Sequence, residues 1–100
     1  MISKVKLLDV EQLNEASEML KAIAHPLRIA MMGLLENGKH LTVTEIHELL
    51  SIEQSTTSHH LGILKSKGVL SSKRNGKNTF YYLKYDRLSE IVDCITKCKV

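Results

Sequence analysis

A run of short polar side chains occupies residues 54–60, with the sequence QSTTSHH. Every residue in the run can donate or accept hydrogen bonds, and none is acidic, which suits a surface facing phosphates. Glutamine pairs with adenine through two hydrogen bonds, and serine or threonine contacts base edges or phosphates. The alternative is a polar helix face that contacts only water. With Thr57 turned inward, the residues that we expect to contact duplex DNA include Gln54, Ser55, Thr56, Ser58 and His59.

Positive charge is concentrated in the same part of the chain, although the formal net charge is only +3. Residues 54–87 contain seven Lys or Arg residues and one acid, Asp86, whereas residues 1–53 contain five basic and eight acidic residues. This asymmetry favours a polyanionic partner, and the alternative is a solvated positive surface. The side chains of this segment that we expect to contact DNA are Lys65, Lys73, Arg74, Lys77 and Asn78.

The two cysteines, Cys94 and Cys98, lie four residues apart. They are too close in sequence to cross-link a fold, so we expect a reducing compartment, the cytoplasm. On a helix, both sulfurs would lie on one side. A dimer could then bring four thiols together to bind a soft metal or arsenite, or to act as a disulfide switch. The interpretation that we favour is a pair of small buried hydrophobic residues, with no cofactor.

Apolar residues at helical spacing predict five helices to carry these side chains. We expect His25, which precedes a proline, to cap the second helix. Thr42 and Glu45 form a capping-box pattern before the third helix, in which Leu49 and Leu50 are both expected to be buried. His60 lies near the inner side of the fourth helix and is expected to make a local hydrogen bond. The predicted helices cover about residues 9–23, 26–36, 43–50, 54–67 and 86–99.

After Gly68 the period of the apolar residues changes from about 3.6 residues to about two residues. This change predicts strands over about 69–74 and 79–84. Residues 75–78 between them have the composition of a hairpin turn. Two helices joined by a short break, followed by a hairpin, predict a winged helix-turn-helix. This fold class is mainly α, with about five helices and a two-stranded wing. The helix-turn-helix is expected over about 43–67, the wing over about 69–84, and a single domain over 1–100.

Four stretches together resemble the ArsR/SmtB family of bacterial winged-helix repressors. They are LKAIAHPLRI at 20–29, STTSHHLGIL at 55–64, GVL at 68–70 and RNGKNTFYY at 74–82. The resemblance implies a homodimer built from the first and last helices. It also implies binding to operator DNA that an inducer usually releases.

Metal ions are the best-known inducers of the family, but the chain departs from both common metal sites. One site has a pair of cysteines where this chain has Thr42 and Thr44. The other uses acidic and histidine ligands on the last helix, of which Asp86 matches the first, whereas Leu88 replaces a histidine. A neutral hydroxyl or an alkyl group cannot replace these ligands. We therefore expect neither site to be present.

The first and last helices carry more apolar side chains than a domain of this size can cover by itself. We therefore expect a two-fold dimer with double-stranded DNA as its other partner. The residues expected in the dimer interface are Val10, Leu13 and Leu20 of the first helix, and Leu88, Ile91 and Ile95 of the last.

Other functional classes are less compatible with the sequence. It contains no glycine-rich phosphate loop or nucleophile elbow, so an enzyme is not expected. No apolar run approaches the length of about 20 residues that spans a bilayer, and the N-terminus lacks a signal-peptide pattern, so no membrane partner is expected. The remaining alternative is a winged helix that binds other proteins without reading DNA.

Overall fold

The computed structural model describes residues 9–97 and confirms the predicted fold class. A short 3₁₀ helix, Glu36–Gly38, follows the second α-helix, which ends earlier than expected. The α-helices of the described region are α1 (Val10–Ile23), α2 (Pro26–Leu34), α3 (Val43–Leu50), α4 (Gln54–Ser66) and α5 (Leu88–Lys97).

Side-chain caps account for where three of these helices begin. The Asp9 carboxylate accepts a hydrogen bond from the backbone N–H of Gln12 at 2.7 Å and starts α1. The predicted cap at His25 is confirmed, because its Nδ1 accepts from the Leu27 N–H ahead of α2. The predicted capping box of Thr42 and Glu45 is also confirmed at the start of α3. These bonds satisfy backbone donors that a helix leaves unpaired at its N-terminus.

The sheet has three strands, one more than the predicted hairpin: β1 (Leu41–Thr42), β2 (Leu70–Asn75) and β3 (Asn78–Leu83). The order is β1-β3-β2, and both pairings are antiparallel. A two-residue strand such as β1 is too short to produce the alternating pattern by which strands are recognised. The wing itself forms as expected, with a two-residue turn at Gly76-Lys77. Of the two turn residues, only Gly76 has a positive φ, 66°, as in a type II′ turn, whose first position requires glycine.

The core lies where α2, α3, α4 and the sheet meet, and it contains Met31, Met32, Leu35, Ile46, Leu61, Leu64, Val69 and Leu70. Two predicted placements are wrong. Leu49 is 62% exposed, whereas Leu50 packs against the core as expected. Adjacent residues of a helix point about 100° apart, so the two leucines do not share one face. Leu88 is only 4% exposed and belongs to the core of the protomer, so it is not presented to a partner.

Residues 9–97 contain no helix with the length and apolar content needed to cross a membrane.

Candidate nucleic-acid interface

The inner face of α4 fixes the direction in which its polar residues point. Thr57, Leu61 and Leu64 are fully buried, as the sequence predicts. The Thr57 hydroxyl donates to the carbonyl oxygen of Glu53 at 3.0 Å, so burying it leaves no unpaired polar atom. α4 packs on α1, α2, α3 and β2. The side chains on the opposite face are thereby held toward solvent by a rigid scaffold.

That opposite face groups most of the predicted contact residues in the first two turns of α4. Gln54, Ser55, Ser58 and His59 are exposed, whereas Thr56 is half-buried. Lys65 is also exposed but lies in the last turn, about 16 Å along the helix axis from Gln54 at about 1.5 Å per residue. The structure therefore brings the uncharged residues together and sets Lys65 apart from them.

The wing exposes all four of its predicted contact residues, Lys73, Arg74, Lys77 and Asn78. Lys73 pairs with Phe80, while Arg74 is opposite Thr79. Because successive strand residues point to opposite faces, the side chains of Lys73 and Arg74 lie on different sides of the hairpin. The Arg74 Nε donates to the Gly76 carbonyl at 3.4 Å, which directs the guanidinium toward the turn.

Carboxylates are absent from the sequence between Glu53 and Asp86, the stretch that forms α4 and the wing. The acidic residues of the rest of the chain include Glu18, which forms an ion pair with Lys67 at 2.9 Å just beyond the end of α4. The hydrogen bonds from both Lys67 and Lys21 hold the pKa of the Glu18 carboxyl below its usual value. The exposed side chains in the first two turns of α4 and on the wing are therefore polar or basic. The adjacent carboxylate is that of the exposed Glu53, at the N-cap of α4.

A profile of the family described as bacterial regulatory protein, arsR family, matches residues 25–72. An uncharacterised HTH-type transcriptional regulator of Methanocaldococcus jannaschii is 35% identical over 86 residues, covering 86% of this chain and 97% of that protein. The transcriptional repressor PagR of Bacillus anthracis is 33% identical over 85 residues, covering 85% of each protein. The chain belongs to the ArsR family.

Solved structures agree with this assignment. The crystal structure of PagR has a TM-score of 0.79 at 32% identity and covers 87% of this chain and 99% of that one. A homodimeric winged helix-turn-helix DNA-binding domain from Mycobacterium bovis shares the fold with a TM-score of 0.77 at 22% identity, over 85% of this chain and 78% of that one. The chain is a DNA-binding transcriptional regulator and not an enzyme, and the relatives do not support a winged helix without DNA readout.

Residues at the two common ArsR metal positions have structural roles in this chain. The Thr42 hydroxyl accepts from the Glu45 N–H as the cap of α3, and Leu88 is buried in the core. Across residues 9–97, no three His, Cys, Asp or Glu side chains are placed to hold a metal ion together. Cys94 is exposed, so its interpretation as a buried hydrophobic residue is wrong for the protomer. Cys98 lies outside the described residues, and the proposed thiol sensor stays a prediction.

The partners of three histidines were not predicted from the sequence. The expected local hydrogen bond of His60 is wrong, because its Nδ1 accepts from the Arg28 Nε at 3.1 Å, across 32 positions of sequence. His40 stacks on the ring of Tyr82 with centroids 4.4 Å apart, and His47 contacts the Ile52 carbonyl at 3.2 Å. Arg28 and His60 are 32 positions apart, and His40 and Tyr82 are 42 positions apart, so no spacing rule connects these pairs. The contact of His47 is local, across the turn between α3 and α4.

Proposed function

We propose that the protein is a repressor that binds an operator duplex as a homodimer and acts in the cytoplasm. In this proposal, α4 of each protomer lies in the major groove and the wing contacts the adjacent backbone. The observation that carries the proposal is the exposed, carboxylate-free group of hydrogen-bonding side chains at the start of α4, Gln54, Ser55, Ser58 and His59. The N-terminal residues of a recognition helix are those that reach base edges. The repressor PagR supports the direction of regulation.

The exposed apolar side chains of α1 and α5 support a dimer. Val10 is 73% exposed, Leu13 49%, Leu20 61%, Ile91 37% and Ile95 46%. Surfaces of this kind usually mark protein interfaces. A two-fold interface between these helices would pair each patch with its own copy. The two copies of α4 would then reach half-sites about 34–36 Å apart, one turn of the duplex. The M. bovis relative, described as homodimeric, supports the same arrangement.

We infer two kinds of contact with DNA. Gln54 and Ser58 stand on the exposed side of the first two turns of α4, where side chains reach bases. Thr56 is half-buried and contributes less of its surface to such a contact. The second kind of contact is with the phosphate backbone, which suits charged and amide groups. The residues proposed for it are Lys65, in the last turn of α4, and Lys73, Arg74, Lys77 and Asn78, on the wing.

Replacing Gln54 with alanine is expected to relax the base preference at one position of each half-site. The lost bidentate pairing should cost about 1–3 kcal/mol of discrimination there and leave binding to random DNA unchanged. Selection of bound duplexes from a random pool, performed with the wild type and with Gln54→Ala, measures this directly. The same wild-type selection tests the proposed function, which is wrong if no sequence is enriched.

Arg74→Ala is expected to weaken binding to all duplexes by a similar factor. A phosphate contact releases bound counterions, so its loss lowers the slope of log affinity against log salt by about one unit per protomer. Fluorescence anisotropy over a salt series, on the selected operator and on a random duplex, would report the slope. Unchanged slopes on both duplexes would show that the wing has no phosphate role.

A further inference from the structure

Arg28 forms hydrogen bonds with both the helix of the proposed dimer interface and the recognition helix. Arg28 lies on α2, and its Nη1 donates to the carbonyl oxygen of Ala22 at 3.2 Å, in the last turn of α1. Its Nε donates to the Nδ1 of His60 at 3.1 Å, in the second turn of α4. One rigid guanidinium therefore connects three helices, and it joins α1 to α4 next to the polar residues proposed to contact DNA.

The hydrogen bond from Arg28 determines the protonation state of His60. A guanidinium only donates hydrogen bonds, so Nδ1 must carry a lone pair and the ring proton lies on Nε2. A protonated imidazole has hydrogen on both nitrogens and cannot accept. The bond between Arg28 and His60 is therefore incompatible with a charged His60.

The surroundings of His60 also favour its neutral form. The residue is 8% exposed, and its ring centroid lies 4.6 Å from that of His25 and 5.5 Å from that of His59. Burial lowers the pKa of His60 below its usual value, and the nearby charges of His25, Arg28 and His59 lower it further. These groups come from the junction of α1 and α2, from α2 and from α4 itself. The ion pair between Glu18 and Lys67 joins α1 to the far end of α4, seven residues beyond His60.

We propose that Arg28 and His60 are positioning residues for operator binding, and that protonation of His60 breaks the bond by which Arg28 holds the second turn of α4, which shifts the start of α4 and so weakens specific recognition. The proposal rests on the proposed function, because it concerns the position of each recognition helix relative to the two-fold axis of a DNA-binding dimer. Half-site register depends on that setting, and a shift of a few ångströms in α4 displaces base contacts. Contacts with the backbone tolerate such a shift, because phosphates are present at every position.

The direction of the pH effect follows from the depressed pKa of His60. Above about pH 6.5, the usual pKa of histidine, the ring is neutral whether or not it is held by Arg28, and the bond contributes fully. As the pH falls below that value, His60 takes up a proton more readily when it is not bonded to Arg28 than when it is, so the bond is progressively lost. Specific binding is therefore lost toward acid pH and retained above neutrality.

His60→Asn separates the hydrogen bond from the titration. The Asn Oδ1 occupies nearly the same position as Nδ1 and can accept from Arg28, but it does not take up a proton in this pH range. Binding to the selected operator and to a random duplex is measured at pH 7.5 and pH 5.5 at constant salt. We use the ratio of operator affinity to random-duplex affinity, because a change of overall charge with pH alters electrostatic binding to both duplexes.

For the wild type, the ratio is expected to fall about tenfold between the two pH values, as for the loss of one hydrogen bond to a charged group. In His60→Asn, the ratio should be nearly the same at both. His60→Leu, which removes the acceptor, should have the low ratio at both. His40→Asn is the matched control, because His40 is an exposed histidine on Tyr82, and it should behave as the wild type.

The proposal is wrong if the ratio depends on pH equally in the wild type and in His60→Asn. It is also wrong if, at pH 7.5, His60→Leu has the same ratio as the wild type. Circular dichroism at both pH values verifies that each variant is folded. If His60→Leu does not fold, the comparison of the wild type with His60→Asn still decides. Selective binding of the operator by the wild type at pH 7.5 tests the proposed function by itself. A failure of the proposed function is therefore distinguishable from a failure of the proposed role of Arg28 and His60.

Discussion

Leu20→Glu is expected to convert the protein to a monomer and to reduce operator affinity by at least about a hundredfold. Leu20 is 61% exposed on α1, within the apolar surface proposed to contact the second protomer. In a two-fold interface the substitution occurs twice and buries two carboxylates without partners, which costs several kcal/mol. A monomer binds one half-site, and it loses the gain of about 10²–10⁴ that linking two sites provides.

Light scattering at tens of micromolar protein would measure the mass, and a binding titration would measure operator affinity. Leu49→Glu is the matched control, because Leu49 is 62% exposed but lies on α3, outside the proposed interface. It introduces the same charge at the same exposure and should leave the mass unchanged. A wild-type protein that is already monomeric at this concentration would contradict the proposed dimer, as would a dimeric Leu20→Glu variant.

The helices and the hairpin were largely predictable from the sequence because their signals are local. α3 begins and ends at the expected residues, since the capping box at Thr42 and Glu45 marks its start. α4 ends one residue before the predicted boundary at 67, ahead of Gly68, which has a φ of 81°. In each case the residues that set a boundary lie within a few positions of it. β1 escaped prediction because two residues carry no periodic pattern and its partner, β3, is distant in sequence.

The direction in which an apolar side chain points was harder to predict. α5 has two adjacent apolar stripes: Leu88 and Val92 enter the core of the protomer, whereas Ile91 and Ile95 are exposed. Both stripes have the same spacing of four residues, so hydrophobicity alone does not tell a protomer core from a subunit interface. The sequence therefore placed Leu88 in the proposed interface, and only the packing of α5 against α2 separates the two roles.

The candidate interface was predictable in composition but not in its supporting contacts. The polar run at the start of α4 and the basic wing can be recognised from the sequence because both are contiguous. The opposite orientation of Lys73 and Arg74 also follows from the sequence, because they are consecutive residues of one predicted strand. The bond from Arg28 to His60 joins segments 32 residues apart and depends on the angle between two helices, which no local pattern specifies.

Ser58→Glu is expected to reduce operator affinity at least about a hundredfold and to weaken binding to random duplexes as well. Ser58 is exposed in the second turn of α4, where a carboxylate would face the phosphates of the groove in both protomers. Glutamate favours helix more than serine does, so the loss would not arise from unfolding. Ser66→Glu is the control on the same helix: Ser66 is also exposed but lies about 12 Å farther along the axis, and a smaller effect is expected. Anisotropy titrations at one salt concentration compare the two variants. Equal losses of affinity would mean that binding depends on the net charge of the protein and not on where along α4 the carboxylate is placed.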